Sequence, residues 1–102
     1  EFGTRMGKNT VLRNCSITGP VIIGDNATLV DSIIGKHTAI GDGARMEKCH
    51  VEESIVLSGA SILNITRKIT GSLIGRNTVI EGTLDSTGPL EFTTGDHTWI
   101  QV

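Results

Sequence analysis

Aliphatic residues recur along most of the chain at steps of mostly five or six residues, and a small residue precedes almost every one by two positions. The aliphatic positions are Ile17, Ile23, Leu29, Ile34, Ile40, Met46, Val51, Val56, Ile62, Ile69, Ile74 and Ile80. The small residues are Cys15, Val21, Ala27, Ser32, Thr38, Ala44, Cys49, Ser54, Ala60, Ser72 and Thr78, and Arg67 is the exception. Residues two apart on a strand point to the same face, so both sets are predicted to point inward.

Every third aliphatic position falls into one column with a longer period of 16 to 18 residues. This arrangement predicts an all-β fold, a three-sided solenoid in which each short strand stacks ~4.8 Å above its equivalent one coil earlier. We expect about four triangular coils. The columns are Ile17, Ile34, Val51 and Ile69; Ile23, Ile40, Val56 and Ile74; and Leu29, Met46, Ile62 and Ile80.

Turn-forming residues occupy the position three before each aliphatic residue. Asn, Asp, Gly and Pro dominate there, as expected where the backbone takes a positive φ or a fixed turn. His37 stands at one of these corners. The glycines that directly follow aliphatic residues are expected to serve similarly. They are Gly24, Gly35, Gly41 and Gly75.

This pattern is the hexapeptide repeat over residues 11–82, and it resembles the left-handed parallel β-helix proteins. The left-handed sense comes from that resemblance alone, because parallel crossovers are normally right-handed. Residues 1–6, EFGTRM, are typical of a vector-derived tag. We therefore predict a β-helix over residues 7–82 and a C-terminal capping strand segment over residues 83–102, within the same domain.

Composition and charge narrow the functional classes. The 102 residues suffice for one small domain, and the net charge of −2 with mixed signs gives no basic stripe for nucleic acid. No apolar run approaches the ~20 residues of a membrane span, and the expected compartment is the cytoplasm. Cys15 and Cys49 are predicted to lie two coils apart, ~9.6 Å from Cα to Cα, beyond the reach of a disulfide.

Several stretches are more specific than the repeat itself. "ITGPVIIGDNATLVDSIIGKHTAIGDGA" (17–44), "VEESIVLSGASI" (51–62), "GSLIGRNTVI" (71–80) and "TTGDHTWIQV" (93–102) resemble the C-terminal region of long-form glucose-1-phosphate thymidylyltransferases. The resemblance implies a parent enzyme whose N-terminal α/β domain converts dTTP and glucose 1-phosphate into dTDP-glucose and pyrophosphate with Mg²⁺. It implies a β-helix that assembles subunits. No N-terminal catalytic motif is present here, so this fragment is expected to be non-catalytic and without a cofactor of its own.

The outward residues between the inward pairs suggest an interface. On one side of the solenoid they are Ile22, Ala39, Ile55 and Leu73, and Ile33 extends this surface around a corner. An exposed aliphatic surface usually marks an interaction site. It would meet other copies in a homotrimer or the missing N-terminal catalytic domain. A cover supplied by the C-terminal tail, through "LEF" (90–92) or Trp99, is the remaining alternative.

The histidines raise a rival function. The resemblance to β-helix acyltransferases implies a module that transfers acetyl groups from acetyl-CoA to an amino-sugar phosphate, with a histidine as general base. The pairs to consider are His50 with Lys68 and His37 with Lys36. A corner role for His37 and a surface position for His50 are the structural alternatives, and the chain lacks the long inserted loop of those enzymes. His97 is expected to anchor the cap, and the histidine spacing does not provide the close pair of a zinc site.

Overall fold

The computed structural model of the protein describes residues 3–65, 67–82 and 93–101. Within these ranges the chain forms fifteen short strands and no helix. In chain order they are β1 (Thr4–Met6), β2 (Val11–Arg13), β3 (Ser16–Ile17), β4 (Val21–Ile23), β5 (Thr28–Val30), β6 (Ile33–Ile34), β7 (Thr38–Ile40), β8 (Arg45–Glu47), β9 (His50–Glu52), β10 (Ile55–Val56), β11 (Ser61–Leu63), β12 (Lys68–Thr70), β13 (Leu73–Ile74), β14 (Val79–Glu81) and β15 (Trp99–Gln101).

The strands form three parallel sheets, one for each side of a solenoid. Side A has the order β1-β4-β7-β10-β13, side B the order β2-β5-β8-β11-β14-β15, and side C the order β3-β6-β9-β12. As far as β14, each strand pairs with the strand three further along the chain, so the chain visits the sides in rotation. The predicted all-β parallel solenoid is confirmed, and its left-handed sense stays a prediction taken from the resemblance.

The solenoid has about five turns where the repeat predicted about four. The additional rungs lie at the two ends. Strand β1 pairs with β4, with Thr4 opposite Val21, although residues 1–6 were interpreted as a tag. At the other end, β15 pairs with β14. The origin of residues 1–6 and the domain boundaries stay predictions.

The inward columns predicted from the repeat are confirmed in register and burial. Leu29, Met46, Ile62 and Ile80 are paired in succession on side B, and the other two columns follow the same rule. Eleven of the twelve aliphatic residues are at most 2% exposed, and Ile17 in the first turn is half-buried. The core is therefore a thin stack of aliphatic side chains with small residues beside them.

The corner positions adopt the backbone conformation that the sequence predicts. Ten of the twelve have a positive φ, including His37 at 58°, Lys48 at 52° and Glu53 at 51°. Pro20 instead follows a cis peptide bond, and Thr66 lies outside the described residues. The corners thus tolerate charged and aromatic side chains where Asn and Gly are usual.

The glycines after the aliphatic residues have a different role from the predicted one. None of Gly24, Gly35, Gly41 or Gly75 has a positive φ. A Cβ on Gly41 would lie 2.6 Å from the Ser58 nitrogen, and a Cβ on Gly24 would lie 2.7 Å from the Asp42 nitrogen. Gly24, Gly41 and Gly75 are required because the backbone of the next coil approaches too closely for a side chain, whereas a Cβ on Gly35 would meet the Glu52 side chain.

The one irregular step of the repeat lies between Ile62 and Ile69. Ile65 is buried at 3% exposure, whereas Arg67 is half-buried. Asn64 makes the corner with a φ of 56°. Ile65 is therefore the aliphatic residue that fills the interior ahead of Ile69.

Candidate functional site

Four outward residues stack in one column on side A. The register places Ile22 beside Ala39, Ala39 beside Ile55, and Ile55 beside Leu73. Strand alternation turns them outward because their neighbours Val21 and Ile23 are buried. Ile22, Ile55 and Leu73 are 58%, 48% and 41% exposed. We call Ile22, Ala39, Ile55 and Leu73 the side-A stripe.

Polar residues bound the side-A stripe at both ends. Arg5 pairs with Ile22 in the turn before it, and Thr93 forms a bridge with Leu73 in the turn after it. The stripe is therefore a limited apolar surface, about four strands tall, with polar margins. A surface of this composition is typical of a protein–protein contact.

A shallow depression of about 250 Å³ lies in the stripe. Ala39 creates it because its methyl group stands between two isoleucines. The corner beside it is held by the His37 amide, which donates to the Pro20 carbonyl at 2.7 Å. The depression can receive an apolar side chain from a partner. Its lining residues are Pro20, Ile22, His37, Thr38, Ala39 and Ile55.

Ile33 is exposed but does not belong to the same column. It lies on side C between Ser16 and His50 and is 49% exposed. The corner of Gly35–His37 separates it from side A. The predicted extension of the apolar surface around a corner agrees with this placement.

The described part of the tail does not cover the stripe. Trp99 pairs with Val79 on side B and is itself 63% exposed. Thr93 contacts only the end of the stripe, through its bridge with Leu73. The LEF segment (90–92) lies outside the described residues, so its predicted covering role is not tested.

The second candidate cluster lies on side C. His50 and Lys68 are register partners, as the sequence predicted. Between them Glu52 places its Oε2 3.2 Å from Lys68 Nζ and its Oε1 3.8 Å from His50 Nε2. The sequence interpretation missed this contact, although Glu52 follows His50 by two residues and so shares its face. The three side chains are partly solvent-exposed, and such surface pairs contribute little to stability.

The other candidate pair, His37 with Lys36, lies at one corner, and among the described residues no hydrogen bond joins the two side chains. His37 is exposed at its corner, and within residues 3–65, 67–82 and 93–101 no hydrogen bond or ion pair involves its imidazole. The Lys36 carbonyl accepts the Glu53 amide at 2.9 Å, a contact between coils. The geometry therefore supports the corner interpretation of His37.

The last rung is attached through the GDH motif. The His97 amide donates to the Arg76 carbonyl at 2.7 Å, and Asp96 Oδ1 accepts the Arg76 amide at 2.8 Å. The Arg76 backbone hydrogen bond lowers the pKa of Asp96 below its usual value. The expected anchoring role of His97 is therefore a backbone role, and the neighbouring carboxylate supplies the side-chain contact.

Both cysteines are free, and Ser32 lies between them in the same inward column. The Cys49 thiol is 3.6 Å from Ser32 Oγ. Burial raises the pKa of Cys49 to about 11. A buried thiol of this kind is a packing residue, because the reactive form is the thiolate.

The described residues hold no group of three His, Cys, Asp or Glu side chains arranged to bind a metal ion. Among the same residues there is no helix with the length and apolarity to cross a membrane.

These features define a parallel β-solenoid that carries an apolar stripe on side A. Over 97 residues the chain is 36% identical to a glucose-1-phosphate thymidylyltransferase of Streptomyces antibioticus. The aligned segment covers 95% of the chain and 27% of the relative. It is also 34% identical over 91 residues to the glucose-1-phosphate thymidylyltransferase of Streptomyces griseus, which covers 89% of the chain and 25% of the relative. No protein-family model matches the chain.

The chain thus spans about a quarter of the length of the curated relatives it matches. The resemblance carried by the sequence motifs is confirmed: the chain is related to one part of the glucose-1-phosphate thymidylyltransferases.

Proposed function

We propose that the chain is the C-terminal β-helix domain of an enzyme that converts dTTP and glucose 1-phosphate into dTDP-glucose and pyrophosphate. The similarity to enzymes of that name extends over 95% of the chain. Because it covers only 27% of the relative, nucleotidyl transfer is assigned to the part of the parent outside this chain. The Mg²⁺ of the reaction is assigned to that part too, and the compartment is the cytoplasm.

The role of the domain itself is assembly. The observation that supports this role is the side-A stripe, whose three large residues stack in one column and are 41–58% exposed. A flat apolar side with polar margins fits a contact between copies around a symmetry axis. A homotrimer is the proposed form. In this trimer, side A of each solenoid faces the symmetry axis, and the depression at Ala39 is buried.

Sedimentation velocity on the chain tests this role. The unchanged chain is expected to sediment as a species whose mass is about three times the 10.8 kDa of one chain. Ile55→Asp places a charge in the middle of the stripe and should dissociate the trimer, because burying an unpaired carboxylate is strongly unfavourable. Ser61→Asp is the matched control, since Ser61 faces outward from the neighbouring side B. A monomer at high micromolar concentration, with Ile55→Asp causing no change, contradicts the assembly role.

An acetyltransferase module remains the alternative function. The contact that favours it is the Glu52 carboxylate 3.8 Å from His50 Nε2, since a carboxylate can orient a histidine that acts as general base. Turnover of acetyl-CoA with an amino-sugar phosphate, lost on His50→Ala and kept on His37→Ala, would support it. No turnover with the unchanged chain would reject it.

A further inference from the structure

The core of the solenoid is open at the end where the chain enters. Met6, Leu12 and Ile17 continue the three inward columns, with Ile23, Leu29 and Ile34 as their register partners in the next turn. Met6 is 55% and Leu12 36% exposed, and Ile17 is half-buried. The three partners one turn later are at most 2% exposed. We call Met6, Leu12 and Ile17 the end face.

The same residues direct unused backbone groups toward this end. Val11 and Arg13 bond to the next turn, through the Val11 amide to the Ala27 carbonyl and the Arg13 carbonyl to the Asp31 amide. Alternate residues of a strand direct their backbone groups to opposite edges, so the Leu12 amide points to the open edge. Ser16 likewise bonds toward the next turn. In the described residues β1, β2 and β3 are all edge strands on this side.

Apolar side chains and free strand edges together form a template for another rung. The first turn shows the effect of such an addition. Strands β1, β2 and β3 lie in parallel register on β4, β5 and β6, and the core residues Ile23, Leu29 and Ile34 of those strands are at most 2% exposed. Within the described residues no strand lies over β1, β2 or β3 in turn.

The direction of the chain shows at which end upstream polypeptide of a longer protein would lie. The solenoid advances by one rung for each 17 residues between Leu12 and Leu29, so polypeptide that precedes the first turn must emerge at this end. The curated relatives are about four times as long as the matched segment. A second copy stacked end to end is the competing occupant, but nothing in the chain direction requires one.

We propose that the end face is a docking surface for the upstream polypeptide of the intact protein, which adds an extended coil over Leu12 and Ile17; Met6, the third residue of the end face, ends the segment interpreted as a vector-derived tag. The inference depends on the proposed function only in taking the chain as one part of a longer protein. It gives the two apolar surfaces separate roles, with the side-A stripe for other copies and the end face for the chain's own upstream part.

Hydrogen–deuterium exchange compares this chain with the full-length protein. We expect the peptide covering residues 11–18 to exchange quickly in this chain and at least about 100-fold more slowly in the full-length protein, since a paired rung opens far less often than a free edge. The peptide covering residues 28–35, one turn later, is the internal control and should be protected in both. Equal exchange of residues 11–18 in the two proteins overturns the proposal.

Two matched variants separate this surface from the stripe. In the full-length protein, Leu12→Asp should restore fast exchange at residues 11–18, whereas Leu73→Asp, with a similar exposure of 41%, should not. The same slow exchange in both variants contradicts the docking surface. Protection of residues 11–18 in this chain alone, increasing with its concentration, would assign the end face to a second copy and overturn the proposal. A monomeric chain would refute the trimer and leave the exchange result unaffected.

Discussion

Replacing Gly41 by alanine is the most direct test of how the coils are stacked. The φ of Gly41 is not positive, so alanine meets no conformational penalty there. The added methyl group would instead lie 2.6 Å from the Ser58 nitrogen and 2.8 Å from the Leu57 carbonyl carbon. Both are backbone atoms of the next turn and have no rotamer to change. The clash can be relieved only by moving the two turns apart.

The size of the effect follows from what holds that turn in place. The Gly41 amide donates to the Val56 carbonyl at 2.7 Å, and Val56 is 1% exposed. Separating the turns therefore stretches a ladder hydrogen bond and loosens a core contact. Overpacking typically costs 1–3 kcal/mol and sometimes more, and with a rigid backbone opposite we expect a loss of about 3 kcal/mol in the free energy of unfolding.

Gly43 provides the control in the same corner. Its φ is +68°, and an added Cβ meets no atom within 4 Å. Gly43→Ala therefore introduces only the cost of a left-handed conformation, about 1 kcal/mol. Gly41→Ala and Gly43→Ala each add one methyl group, two residues apart in the chain. Comparing them therefore separates the cost of a steric clash from the cost of a left-handed conformation.

Thermal and urea unfolding followed by circular dichroism measures both variants. For a domain of this size 1 kcal/mol corresponds to roughly 4–8 °C. Gly41→Ala should therefore lower the midpoint by roughly 12 °C or more, and Gly43→Ala by less than about 8 °C. An equal decrease in the two, or a larger one for Gly43→Ala, would refute the close-approach explanation of the glycine column.

Three further outcomes are expected. His37→Asn should preserve the urea midpoint, whereas His37→Val should cost about 1–2 kcal/mol because a β-branched residue resists the φ of 58°; equal midpoints would contradict the corner role. The Cys49 thiol, with its pKa raised to about 11, should react with a thiol reagent at about pH 8 only as the protein unfolds, and Cys15 should react first; equal rates would contradict its burial. The pKa of Asp96 is lowered in the folded state, so its stabilisation is present above its unfolded pKa and lost as pH falls through the folded one. The midpoint difference between wild type and Asp96→Asn should therefore narrow on acidification below about pH 4, and a constant difference would contradict the assignment.

The sequence was sufficient to predict the interior because one constraint acts on every turn. Each turn closes around the same narrow space, so Leu29, Met46 and Ile62 must be aliphatic and their partners two residues earlier must be small. That requirement repeats often enough to reveal the register as well as the fold. The corners follow for the same reason, since Asn26 and Asp31 occupy equivalent backbone conformations.

Contacts between coils could not be predicted from the repeat. A glycine that permits a turn and a glycine that permits close approach look alike in sequence, so Gly41 was interpreted wrongly as a corner glycine. The irregular step between Ile62 and Ile69 was also not predictable: the pattern places Arg67 at an inward position, but Ile65 is the residue that is buried there. Both outcomes depend on the distance between neighbouring turns, which a one-dimensional pattern does not contain.

The side-A stripe could be found from the sequence because its residues are not explained by packing in the core. In a parallel solenoid the outward residue between two inward ones has no packing role, so the fold alone permits any polar residue there. Side B has polar residues at such positions, for example Thr28, which is half-buried, and Arg45, which is exposed. On side A, however, Ile22 and Ile55 are aliphatic although they are 58% and 48% exposed. By contrast, the fold accounts for His37 through its backbone conformation and for His50 through its contact with Glu52. The residues for which we propose an external partner are thus the exposed isoleucines of the side-A stripe, and the assembly experiment on Ile55 tests that proposal.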